Sequence, residues 1–170
     1  MWVSMTILVF VFVLGSTIGG LLVSAKLPPR PASFLLFGFL FFAITYGGMF
    51  AGMFLDSFLM IRLLDVILVV ISLLFIVACF KTFHPTFGFF QQERKLNLLL
   101  VAVIFFILGL EWGILGHRTV FTLFASALFL LGLFLGGGTQ QRIRTNLWRL
   151  PYHVFFPLTW LLFVTVLKLL

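Results

Sequence analysis

Successive apolar runs of membrane-spanning length, parted by short polar or proline-containing breaks, constrain this chain more than any other feature. A helix crossing a hydrocarbon core about 30 Å thick needs about 20 apolar residues at about 1.5 Å rise each. That ruler gives six candidate spans: Trp2–Ala25, Ser33–Leu55, Leu63–Phe80, Leu96–Leu115, Val120–Leu135 and Tyr152–Leu170. Lipid offers the backbone no hydrogen-bond partners, and the runs lack the period-two alternation of barrel strands. The expected fold is therefore all-α, a polytopic transmembrane helix bundle of about six spans forming one integral membrane domain, residues 1–170. Composition agrees, because 63% hydrophobic against 9% charged residues and a mean hydropathy of +1.29 exclude an ordinary water-soluble fold.

The breaks have physical causes. Pro28, Pro29 and Pro31 end the first run and open the second, while His84-Pro85 and Gln91-Gln92-Glu93-Arg94-Lys95 are too polar for hydrocarbon. Gly136-Gly137-Gly138 followed by Thr139–Arg149 marks another exit. Two boundaries admit alternatives. Tyr46-Gly47-Gly48 offers a point at which Ser33–Met60 would split into two short helices, and Val120–Leu135 is short enough to be re-entrant. No internal repeat is evident from the sequence, and no linker is long enough to divide two domains. The first run lacks a basic leader and a small-residue cleavage site, so it reads as a mature helix.

Net charge is +7. The basic residues are scattered without interleaved stacking aromatics, so no nucleic-acid partner is expected and the charge reads as membrane orientation. Lys26, Arg30, Lys81, Arg94, Lys95, Arg142, Arg144 and Arg149 fall on one side of the alternating spans, and Arg62, Arg118 and Lys168 on the other. The positive-inside rule then places the first set in the cytoplasm and both termini outside, and splitting Ser33–Met60 would move the N-terminus inside.

Charges near hydrocarbon are costly and draw attention. Gly48, Gly52 and Asp56 form a G-x-x-x-G-x-x-x-D stripe on one helix face, where glycines admit a neighbouring backbone. The plain reading is a helix-packing or partner seam with Asp56 in the interfacial layer; an ion or proton site is the alternative. Arg62 and Asp65 are spaced to pair along one face, a local or interhelix ion pair being the default and docking of a transmembrane partner the alternative, and Glu111 beside Trp112 reads as an interfacial anchor. His84, His117 and His153 lack metal-box spacing, and Cys79 stands alone, so no metal, haem or other cofactor and no disulfide is expected. No nucleophile motif or phosphate-binding loop supports an enzyme. The segment Thr139–Arg149, with Arg142, Arg144 and Arg149 among apolar residues, reads as a short amphipathic helix on the inner leaflet, with anionic lipid its simplest partner and a docked cytoplasmic protein the alternative. The 25 phenylalanines present greasy surfaces to lipid or partners.

Together, Tyr46–Asp56 with its glycines and terminal aspartate, Leu110-Glu111, and Arg149-Leu150-Pro151 leading to Val154-Phe155-Phe156-Pro157 resemble the rod shape-determining protein MreD family. The resemblance implies a noncatalytic scaffold of the cell-wall elongation machinery in a bacterial inner membrane. Its implied partners are an MreC-like single-span protein, RodA with its class B penicillin-binding transpeptidase, and the MreB filament, besides membrane lipid. Gly48, Gly52 and Asp56 would then form the bundle seam. Two alternatives come from other classes. One is a solute-uptake subunit similar to the substrate-binding components of energy-coupling transporters, lined by Asp56, Glu111 and His117. The other is a respiratory subunit resembling NADH dehydrogenase subunit 6, suggested by Pro31 and Phe58-Leu59-Met60-Ile61.

Overall fold

The computed structural model describes residues 2–24, 31–55, 58–84, 88–90, 95–117, 119–146 and 154–168. The helices are α1 (Trp2–Val23), α2 (Pro31–Gly52), α3 (Phe58–Thr82), α4 (Leu96–Ile114), α5 (Thr119–Asn146) and α6 (Phe156–Leu167). The first five are long and apolar enough to cross a membrane, so the protein is a multi-pass membrane helix bundle.

Two boundaries, in α5 and α6, differ from the sequence reading, and the alternative split of the second span is settled. Helix α2 runs unbroken through Tyr46-Gly47-Gly48, so that split does not occur. Helix α5 continues through Gly136-Gly137-Gly138, and the Thr139–Asn146 part of the expected amphipathic helix is its last two turns. Glycine disfavours a helix interior by about 1 kcal/mol each in water. Here Gly136 sits against the Ser16 backbone and Gly137 against Phe34 and Val23, so packing holds the helix. Helix α6 is 12 residues, about 18 Å. It nevertheless runs antiparallel to α3 from Phe80, whose ring lies 4.8 Å from that of Phe155, to Asp65, which pairs with Lys168.

A buried core containing Phe10, Phe41, Phe75, Phe105, Phe129 and Trp112 fills the space between helices. The Phe41 ring stacks on Phe129 at 4.1 Å and meets Phe105 edge-on at 4.9 Å, which ties α2, α4 and α5 together. Between α3 and α4, Asn97 Nδ2 donates to Thr82 Oγ1 and to the Phe89 carbonyl, each at 2.7 Å, so the connection is anchored to both helices.

The packing reveals an internal repeat that the sequence reading missed. Helix α1 lies along α5 and α2 along α4, these being the most extensive contacts; α3 packs on α4 as α1 packs on α6. Exchanging α1–α3 with α4–α6 leaves this pattern unchanged. The close approaches repeat as well. A methyl group on Gly15, Gly19, Gly132 or Gly136 would strike the carbonyl oxygen of Phe129, Leu133, Phe12 or Ser16. On Gly109, Gly113, Gly48 or Gly52 it would strike that of Thr45, Met49, Phe106 or Leu110. The register is the same throughout: Leu14-Gly15-x-x-x-Gly19 matches Leu108-Gly109-x-x-x-Gly113, and Gly132-x-x-x-Gly136 matches Gly48-x-x-x-Gly52.

Within each seam residue numbers rise together, so α1 runs parallel to α5 and α2 to α4, whereas α3 and α6 are antiparallel. A three-helix unit that crosses an odd number of times starts its second copy from the opposite face. The halves are thus inverted repeats about an approximate two-fold axis lying across the helices.

Candidate functional site

Lys168, one residue past α6, inserts its ammonium between two carboxylates. Its Nζ donates to Glu111 Oε2 at 2.6 Å and lies 2.7 Å from Asp65 Oδ1. The Lys168 and Glu111 side chains are 4% and 1% exposed and that of Asp65 25%, so the cluster is open on the α3 side. From α1 the Phe10 ring closes the remaining direction, its centroid 5.7 Å from Nζ, where the π face favours a cation.

Local folding explains each position. Leu64, Leu68, Ser72, Phe75 and Cys79 form the buried stripe of α3, and Asp65 stands at its edge. Glu111 lies in the last turn of α4, on the face that meets α3. Lys168 lets its aliphatic stem cross apolar surface before the charge finds partners. The cluster joins α3 of the first half to α4 and α6 of the second, at the end of the bundle where α3 begins and α4 and α6 finish. One ammonium facing two carboxylates is held by geometry of the kind that stabilises buried ions.

One sequence expectation is narrowed here and one corrected. Of the local and interhelix pairings open to Asp65 the structure has the interhelix one, to Lys168, and not the local one to Arg62, which is exposed on the outer face of α3. Glu111 is no surface anchor; it is almost fully buried in the ion pair. Reading Lys168 only as a topology marker missed its role. A basic residue in the last run, at the same depth as two acids, was the available signal.

The remaining candidates are distributed. Gly48 and Gly52 form the α2·α4 seam, so α4 of the same chain occupies that face; Asp56 lies outside the described residues. Arg142 and Arg144 end α5 near Lys81 and Lys95 in level, and Arg149 and His153 lie outside the described residues. His84 exchanges backbone hydrogen bonds with Gly88. His117, in the turn after α4, stacks on Phe121 at 4.0 Å, and burial holds its pKa below the ordinary 6.5. Among the described residues no group of three or more His, Cys, Asp and Glu is placed to hold a metal ion. A cavity of about 670 Å³ opens between α1, α5 and α6 on the side away from the ion cluster.

Fold and site thus define a polytopic membrane protein of inverted three-helix halves, joined at one end by a buried ion cluster. Comparison with protein-family models, curated proteins and solved structures gives no significant match.

Proposed function

We propose that this protein is a small membrane carrier in which two bodies, α1·α5·α6 and α2·α3·α4, exchanged by the inverted repeat, rock against each other to move a small solute or ion. The observation that carries the reading is the reciprocal pairing of α1 with α5 and of α2 with α4, each along a glycine seam. Inverted repeats are a recurrent construction of secondary transporters, because two exchangeable bodies give two openings of nearly equal energy related by the two-fold axis. The Lys168–Glu111–Asp65 cluster ties the end of α6 in one body to α3 and α4 in the other at one end only, and in this reading it is the latch that closes that end. Each glycine seam lies inside one body, α1·α5 in the first and α2·α4 in the second, and would move with it while the latch opens and closes.

Spin-label distances in lipid nanodiscs test this. With Cys79 replaced by Ser, one label pair goes on Met60 and Val120 at the latch end and a second on Lys81 and Gln141 at the basic end, all exposed. A carrier gives two distance populations at each end, changing in opposite senses when Glu111→Gln weakens the latch. A single narrow distance at both ends, unchanged by the substitution, overturns the reading. The scaffold role implied by the MreD resemblance predicts that rigid outcome, together with recovery of an MreC-like or RodA-like protein in a mild-detergent pull-down. Its glycine stripe is already packed on α4 within the chain, so that role rests on the resemblance alone.

A further inference from the structure

The groove between α1, α5 and α6 runs lengthwise along the bundle and changes character on the way. Its apolar part is lined by Phe12, Val13, Leu135 and Pro157, and Trp160 flanks it. Toward the basic end of the bundle it is bordered by Thr139 and Arg142, on the part of α5 that extends beyond the apolar run. From Leu135 to Arg142 the helix rises about 10 Å, roughly the passage from acyl chain to headgroup level. No carboxylate lines the groove among the described residues, and its one charged lining residue is the exposed Arg142. Its volume, about 670 Å³, is that of a ligand site.

We propose that this groove is a binding site for one anionic phospholipid, its acyl chain lying along α1 and its phosphate on the Arg142 guanidinium. The polarity gradient fits an amphiphile in this orientation, and the guanidinium fork matches phosphate oxygens in a way that a zwitterionic headgroup, carrying its own cation, weakens. The site is independent of the carrier reading: a rigid scaffold would hold the same lipid. It is narrower than the general attraction of a basic segment to a charged leaflet, because it places one chain against named side chains.

Trp160 supplies the probe. The protein is reconstituted with phosphatidylglycerol or phosphatidylcholine brominated on the acyl chain, and the Trp160 contribution to fluorescence is isolated by subtracting the Trp160→Phe variant. Quenching by the anionic lipid is expected at several-fold lower mole fraction than by the zwitterionic one. Arg142→Gln, at an exposed position that leaves the core intact, is expected to reduce that preference about fivefold, the factor equivalent to about 1 kcal/mol per basic residue at the surface. Equal quenching by the two lipids in the unsubstituted protein overturns the proposal. So does quenching by neither, or a preference that survives Arg142→Gln.

Discussion

Replacing Lys168 by Met keeps the length of the side chain and removes the ammonium that two carboxylates share. Deleting one partner of a buried pair is expected to destabilise by about 3–5 kcal/mol, because the remaining charge keeps its desolvation penalty. Glu111, 1% exposed, bears that penalty in full, whereas Asp65, 25% exposed, is less deeply buried. The lower end, about 3 kcal/mol, is therefore expected, which is about two decades in the folding equilibrium. Reversible unfolding in mixed micelles, with helical circular dichroism as the readout, measures it. The double variant Glu111→Gln/Lys168→Met removes one charge of each sign from the buried pair and should recover most of the loss. The reasoning fails if Lys168→Met unfolds with the wild-type midpoint, or if the double variant is no more stable than the single one.

Three further outcomes follow from particular contacts. Gly113→Ala and Gly19→Ala drive a methyl into the Met49 and Leu133 carbonyls and should each cost about 1–3 kcal/mol, while Gly47→Ala, facing open space, should be neutral or gain up to about 1 kcal/mol; thermal unfolding in one detergent compares them. His117 has its folded pKa lowered by burial, so below the ordinary value of 6.5 the unfolded chain takes up more protons. Stability should be full above that value and fall as pH drops through it, and melting of wild type and His117→Phe from pH ~8 to ~5 should show the slope only in the former. Asn97→Leu leaves the Phe89 carbonyl and Thr82 hydroxyl without their shared donor and should cost about 1–3 kcal/mol, with faster amide exchange around Phe89 as a local sign.

Much of the fold was legible because hydrocarbon length is a local property of the chain. Each apolar run named its own helix, and the run that opens at Leu96 after the polar break ending in Lys95 gave the start of α4. The errors arose where a neighbour overrides local preference. The triple glycine reads as a helix end, yet in α5 the lack of a side chain at Gly136 is what lets Ser16 approach, and the contact preserves the helix. The repeat was hidden for a related reason. Its two halves share little beyond glycine spacing, and glycine spacing in apolar helices is common enough to look incidental until the carbonyl each glycine faces is known.

The candidate site was legible in its members and illegible in its pairing. Asp65 and Glu111 stood out as acids near hydrocarbon, but sequence proximity offered Arg62 as the partner, while the actual one, Lys168, lies 57 residues from Glu111. The amino-acid sequence alone determined that this chain must be a bundle of membrane-crossing helices, since hydrophobic transfer depends on composition and not on what lies alongside. Which helix lies against which, which acid receives the lysine, and the inverted relation of the halves were decided only in three dimensions, because close packing and ion pairing depend on the geometry of both partners.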